Sequence, residues 1–454
     1  MYWANFLHIY QPPTQKEVWV RRIAEECYRK IFNGLINIPG SRLSLNINGI
    51  LCELLEKYGG NDVLSNLKTL VDKGNVELTG SAKYHAFLPL VPESEIERQI
   101  KLNEETLNKY FGTSWNRGGF FSPEMAYSKK VAQVAKRCGY KWIIVDELAF
   151  PSQRSFSHET IYKVKDIDDF YVFFRDRRLS FTILSAQIGA AVLPTVLRYL
   201  GPERLQSNTY SVTGMDGETF GHHRPGLELL LFEILGSQEI KPATVSDLFD
   251  KFTNIVEVEP RDSTWATTKQ NLKENMPFAR WNHKDNTIQW GQWELTDLAI
   301  KVIADNSSDD EGRLLLDRAI HSDQYWWSSA RPWWSLEMIE RGAYELRRVV
   351  LKSPTASEVD KKRADDLYKE IIFTGFEWQR NGLVDEIARH ENEEIQEMME
   401  VKERLYITKA EYQQMVSNLK NQVKLAAKAE DYSRAAMIQD RIRELTEEMG
   451  KSKN

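Results

Sequence analysis

Glu124 and Asp216 are the two residues whose type and position best suit the breaking of a covalent bond. Each follows a run that reads as a strand. Arg117–Phe121 leads into Ser122-Pro123-Glu124, and Thr209–Thr213 leads into Gly214-Met215-Asp216-Gly217-Glu218. In a barrel of parallel strands, residues just past the strand ends gather on one face, where active sites form. Two carboxyls distant in sequence can therefore face each other across a sugar. Glycosidic cleavage needs such a pair, one to attack or stabilise and one to deliver a proton. Each motif has a plainer reading too. Ser-Pro-Glu is a helix start with a Ser cap, a Pro at the first position and an acid in the first turn. Asp-Gly is a common turn pair. Finding both at matching strand ends brings the chemical reading level with the structural one.

The other polar residues point the same way. His8, His85, His222, His223 and His321 each stand among aromatic or carboxylate neighbours. Tryptophan and tyrosine rings stack on sugar faces while keeping a polar edge, so Asp323-Gln324-Tyr325-Trp326-Trp327 reads as part of a saccharide wall. Packing in a helix core is an equal alternative for Trp327. Zinc sites show spaced ligands such as HxxxH or His with Cys pairs. Here the close pair is the adjacent His222-His223, whose side chains are expected to diverge. Neither a catalytic metal nor a cofactor is expected.

These side chains need a scaffold. Strand-like runs at Asn5–Ile9, Arg42–Ile47, Asn75–Leu78, Gly118–Phe121, Trp142–Val145, Phe170–Phe174 and Thr209–Thr213 alternate with amphipathic stretches such as Asp62–Lys73, Glu93–Tyr110 and Ser128–Cys138. Such alternation predicts an α/β fold with a parallel sheet, and the number of repeats predicts a closed but distorted barrel over residues 1–260. Periodic apolar positions through Leu295–Ala304, Gly312–His321 and Leu336–Leu351 predict a helical subdomain over 261–410 that completes the substrate cleft. Residues 411–454 predict a separate helical hairpin. Leu419, Val423, Ala426 and Ala427 form one of its faces, Ala435, Ile438, Ile442 and Leu445 the other, and Asp431 caps the second helix.

The composition is that of an ordinary globular protein, 42% hydrophobic and 28% charged over 454 residues, long enough for more than one core. A net charge of −6 argues against nucleic acid as the main partner but not against a neutral sugar. Three scattered cysteines, Cys27, Cys52 and Cys138, suit reduced thiols and a cytoplasmic location better than a disulfide framework. The opening residues read as a buried first strand and not as a signal peptide. No apolar run approaches the roughly 18 residues that span a membrane. Seven of the thirteen tryptophans lie between Trp281 and Trp334.

Taken in order, five motifs over about residues 4–340 resemble glycoside hydrolase family 57, whose members process starch- and glycogen-like α-glucans. They are His8-Ile9-Tyr10-Gln11-Pro12; Val76-Glu77-Leu78-Thr79-Gly80 with Tyr84-His85; Gly119-Phe120-Phe121-Ser122-Pro123-Glu124-Met125-Ala126-Tyr127; Asp216-Gly217-Glu218-Thr219-Phe220-Gly221-His222; and Ser322-Asp323-Gln324-Tyr325-Trp326. The resemblance implies a (β/α)7 barrel followed by helices and a retaining mechanism, with Glu124 as nucleophile and Asp216 as acid/base. It implies substrate contacts from His8, Gln11, His85, Glu218, His222, Asp323 and Trp326. It also implies an α-glucan or maltooligosaccharide substrate. Tyr10 stands where the family's opening motif has a second His, and Phe121 where many members have Trp. Nothing in the sequence resembles the long C-terminal β-sandwich of the family's glucanotransferases. The readings are therefore α-amylase-like hydrolysis, transfer or branching on the same site, a non-catalytic glucan-binding protein, or a metal-dependent enzyme on a related barrel. The short loops after Glu124 and Asp216 favour hydrolysis. Separately, Leu419–Leu445 resembles the UVR motif, a helical hairpin that mediates protein–protein association, which implies a protein partner or self-association.

Overall fold

A computed structural model describes residues 1–112, 115–151, 153–184, 193–224, 226–304, 309–331, 333–389, 409–428 and 432–451. Ten strands are described: β1 Tyr2–Ile9, β2 Leu43–Ile47, β3 Val76–Leu78, β4 Gly119–Phe120, β5 Trp142–Asp146, β6 Ile161–Val164, β7 Tyr171–Arg175, β8 Tyr210–Asp216, β9 Lys241–Ala243 and β10 Ile255–Val258. They form two sheets. One has the order β3-β2-β1-β8, with β9 also on β1; the other has the order β10-β6-β7-β5-β4. Every pairing is parallel except β6 with β7. β2 and β5 are buried along their whole length, as expected of parallel strands covered on both faces.

The two sheets meet at both ends. Gly80 N–H donates to Gly119 O and Phe121 N–H to Gly80 O, each at 2.9 Å, so β4 continues from the exit of β3. Asp176 N–H donates to Val212 O at 2.6 Å, which brings the exit of β7 to β8. Gly119 makes the β4–β5 pairing feasible: a Cβ there would lie 2.1 Å from the Trp142 indole. β8 runs on through Asp216 and does not stop at Thr213, because Met215 and Asp216 pair with Leu7 and His8 of β1.

Helices Asn61–Asp72, Glu93–Phe111 and Lys129–Arg137 lie between strands where amphipathic stretches predict them. Ser128 caps the last by accepting from Val131 N–H. Beyond the strands the chain is helical. Thr287–Ala304, Asp310–Ala319, Leu336–Lys352 and Glu358–Arg380 pack on one another around Ile288, Leu295, Leu316, Leu346 and Leu367. The short helix Asp323–Trp327 lies against Leu336–Lys352. At the C-terminal end, helices Lys409–Lys428 and Tyr432–Lys451 pack through Met415, Leu419, Ala426, Ile438, Ile442 and Leu445. The predicted Asp431 cap lies outside the described residues. Among the described residues no helix is long and apolar enough to cross a membrane.

Candidate active site

Glu124 sits immediately beyond β4 in a single tight turn, Pro123–Met125. The Ser-cap helix start is not what forms there: Ser122 makes no side-chain cap bond, and Glu124 has φ +62°. Met125, at φ +51°, and His85, at φ +60°, share this left-handed conformation. It costs a non-glycine residue about 1–3 kcal/mol and is held only where surrounding contacts impose it. Those contacts are visible. Residues 263–265 run beside the turn, with Tyr127 N–H donating to Ser263 O at 2.8 Å and Trp265 N–H to Glu124 O at 3.2 Å. This places the Trp265 indole N–H 3.1 Å from Glu124 Oε2. The Ser322 hydroxyl donates to Oε1 at 3.0 Å.

A line of aromatic and imidazole groups leads away from that carboxyl. His85 Nδ1 is 2.8 Å from Ser322 Oγ and 3.8 Å from Glu124 Oε1. His85 Nε2 is 3.1 Å from His8 Nε2, and His8 Nδ1 is 2.8 Å from Asn46 Oδ1. Burial holds His85 neutral, its pKa lowered to about 4, and pushes His8 down too. Tyr10 lies flat on His85, centroids 4.0 Å apart and planes 10° apart. Its hydroxyl donates to Asp323 Oδ2 at 2.7 Å, and the same oxygen lies 2.9 Å from His321 Nδ1. Burial opposes charge on His321, but its bonds to Asp323 and Glu345 outweigh that and raise it to about 9. The protonated ring in turn keeps Asp323 ionised against the cost of burial.

Asp216 ends β8 beside His8 of β1, with its side chain open to solvent. Burial of its surroundings raises its pKa to about 6, opposed by the nearby Arg175 guanidinium. Burial raises Glu124 further, to about 8, helped by the charges of Asp323 and Asp216, while Ser322 and Trp265 pull the other way.

Of the residues singled out in the sequence, His8, His85, Asp323 and Glu124 join one contact network, and Asp216 stands next to it. Four others make different contacts. Glu218 is buried, and its Oε1 accepts from Tyr28 OH at 2.5 Å, Tyr10 N–H at 3.0 Å and Gln11 Nε2 at 3.4 Å. Glu218 and Gln11 therefore brace the chain after β1. His222 bonds Glu26 through Nδ1 at 2.6 Å. Its ring lies 4.9 Å from that of His223, so the two do not diverge as expected. Trp326 leans on Trp327 and Trp333. Sequence reasoning missed Trp265, Ser322 and Asn46 as partners of the site. Among the described residues, no group of three or more His, Cys, Asp or Glu side chains is arranged to hold a metal ion.

His8, His85, Glu124 and Asp216 lie within a stretch recognised by comparison, and Trp265, His321, Ser322 and Asp323 lie beyond it. The family model for glycosyl hydrolase family 57 matches residues 5–259, more than half of the chain. The chain belongs to glycosyl hydrolase family 57. An α-amylase of Pyrococcus horikoshii is 26% identical to this family 57 chain over 235 residues, 50% of this chain and 36% of that protein. A putative α-amylase of Methanocaldococcus jannaschii is 27% identical over 278 residues, 57% of each. A 4-α-glucanotransferase of Thermococcus litoralis is 22% identical over 250 residues, 51% of this chain and 36% of that protein. The chain thus spans between about a third and just over half of the length of these family 57 relatives. Among solved structures, a branching enzyme of Thermococcus kodakaraensis superposes with a TM-score of 0.61 at 14% identity, covering 83% of this chain and 96% of that one. The T. litoralis glucanotransferase superposes at 0.60 and 18% identity, covering 77% and 58%. At such identities the likeness is one of fold.

Proposed function

We propose that this family 57 chain is a retaining α-glycosidase acting on α-glucans, on a distorted (β/α)7 barrel whose cleft the helical region completes. One observation carries the reading. Glu124 is held beyond β4 by two donors, Ser322 and Trp265, in a backbone conformation that costs energy, with Asp216 at the end of β8 close enough to raise it. In the first step a Glu124 oxygen attacks the anomeric carbon. The glycosidic C–O bond breaks as Asp216 passes its proton to the leaving oxygen. In the second step Asp216 takes a proton from an incoming hydroxyl, whose oxygen displaces Glu124. His8, His85, Asp323 and Tyr10 line the side from which sugar hydroxyls would be held.

With water as the incoming hydroxyl the product is shorter chains, the α-amylase-like outcome favoured by the short loops after both carboxylates. With a sugar hydroxyl the same site transfers or branches. Incubation with maltoheptaose, amylose and glycogen, followed by chromatography, tests this. Shorter sugars and a rising reducing-end count are expected. Longer or branched products at a constant count would make transfer the activity, and no change in any substrate would overturn the glycosidase reading. The hairpin at 409–451 is proposed as a protein-association module. Deleting 411–454 should abolish association on a sizing column while sparing maltooligosaccharide turnover, and an unchanged elution behaviour, corrected for mass, would refute it.

A further inference from the structure

Strands turn alternate side chains to opposite faces, and here one face can be followed from the core up to the site. Phe6 and His8 of β1, Ile144 and Asp146 of β5, Phe173 and Arg175 of β7, and Val212, Gly214 and Asp216 of β8 succeed one another at that period. Phe6, Ile144, Phe173 and Val212 belong to one buried apolar cluster with Phe121 and Met125. The next residues along the same face are polar, so the cluster ends in His8, Asp146, Arg175 and Asp216. Gly214 makes room for the arginine: a Cβ there would lie 3.0 Å from Met125 Cε and 3.5 Å from Arg175 Cδ. The Arg175 side chain therefore lies over β8 at the position just before Asp216 on that face.

A buried charge needs compensation. Arg175 is 3% exposed, yet its Nη1 stands 3.8 Å from Asp146 Oδ2, beyond hydrogen-bond reach. Asp146 instead accepts from Arg177 Nη1 at 2.8 Å through its other oxygen. Arg175 Nε and Asp146 Oδ2 find no hydrogen-bond partner among the described residues. Asp146 is thus shared between two arginines, and part of the Arg175 charge is left to act on Asp216.

We propose that Arg175 is a positioning residue for Asp216, stabilising the carboxylate left behind when the proton passes to the leaving oxygen. The proposal rests on the glycosidase reading above and deepens it. As the Asp216 O–H bond breaks, its electron pair stays on Asp216 and the proton goes to the glycosidic oxygen. A fixed positive charge beside the developing anion lowers the cost of that step. Burial raises Asp216 to about 6 against the pull of Arg175. Glu124 and Glu218 also exchange charge effects with Asp216, while Asp146, Glu147 and Arg177 act on Arg175. His8, across the β1–β8 pairing, is held neutral, and Asp176 is taken up by Arg204 at 2.6 Å.

The test follows kcat/KM against pH on maltoheptaose and on an aryl α-maltoside for the unaltered chain, Arg175→Gln, Arg175→Lys and Arg177→Gln, with circular dichroism to check folding. Loss of the positive charge lets the Asp216 pKa rise, so the acidic limb should move up by about one unit in Arg175→Gln. The loss on maltoheptaose should exceed that on the aryl substrate by up to about tenfold. Arg175→Lys keeps the charge and should leave the limb in place. Arg177→Gln frees Asp146 to draw on Arg175 and should move the limb the same way by less, which keeps the test decisive if Arg175→Gln fails to fold. A limb that stays put in the folded glutamine variants would overturn the proposal and leave the glycosidase reading standing. So would a limb that moves as far in Arg175→Lys as in Arg175→Gln, because packing and not charge would then be responsible. Inactivity of the unaltered chain on both substrates would overturn the glycosidase reading and the proposal with it.

Discussion

Ser322 and Glu124 are joined by a 3.0 Å hydrogen bond that ties the helical region to the turn after β4. Trp265 adds a second donor to the other carboxylate oxygen at 3.1 Å. Both bonds favour the ionised form of a group that burial alone would keep protonated. The carboxylate proposed to attack is thus fixed in place, while Asp216, at the open end of β8, is exposed to incoming solvent or sugar.

This division of labour separates two variants. Glu124→Ala should remove nearly all turnover, and azide should restore part of it by attacking the exposed anomeric carbon. Asp216→Asn should lower kcat/KM on natural glucans by about 10²–10⁴-fold, yet spare aryl glycosides whose leaving groups need little protonation. Equal losses on both substrate types would contradict the proton-donor role.

The pH dependence follows from the pair as a unit. Its groups lie at about 6 for Asp216 and about 8 for Glu124, so between these values the pair carries one proton. Below the lower value both are protonated and no nucleophile remains; above the upper value both are ionised and no acid remains. In the free site the proton rests mainly on Glu124, and reaction draws on the arrangement with it on Asp216, which the Ser322 and Trp265 donors favour. A bell-shaped kcat/KM profile with its maximum near about pH 7 is expected. A rate still rising at pH 9 would contradict it.

Glu218 offers a stability measurement. Glu218→Ala strands the Tyr28 hydroxyl and Tyr10 N–H and should lower unfolding free energy in urea by about 1–3 kcal/mol. Glu218→Gln keeps an acceptor oxygen and should recover most of it. A Glu218→Ala chain as stable as the original but weaker in sugar binding would return Glu218 to the substrate-contact role.

Tyr10→Phe preserves the ring over His85 and deletes only the donor to Asp323. A hydrogen bond to an ionised group is worth about 1.5–3 kcal/mol. A drop in kcat/KM of about 10–100-fold is the expected result. Unchanged kinetics would mean that the Tyr10–Asp323 bond does not position the site.

The seven strands that lead toward the site were readable because each is a run of apolar residues set between amphipathic stretches. β6, β9 and β10 were not. β9 is three residues long and contains Pro242, so it carries little strand signal, whereas β10 has the apolar β-branched run Ile255-Val256-Glu257-Val258 and was passed over. The two carboxylates were visible as residues following strands. The left-handed Glu124 was not, since Ser-Pro-Glu carries an ordinary helix-start signal and the conformation is imposed by residues 263–265. Ser322 and Trp265 meet Glu124 only through the tertiary fold; Ser322 opens the fifth motif, but no local pattern marks Trp265. The contacts of His222 and Glu218 were not legible either. Both stand in a motif beside Asp216, but the turn after β8 sends them to Glu26 and Tyr28.

The measurement that bears most directly on the account is the capture of the glycosyl intermediate. The chain would be incubated with a 5-fluoro-α-glucosyl fluoride, digested, and mapped by mass spectrometry. A single glucosyl ester on the peptide carrying Glu124, released again when maltose is added as acceptor, is the expected result. A chain that cleaves maltoheptaose yet carries the label on another carboxylate would contradict the central claim.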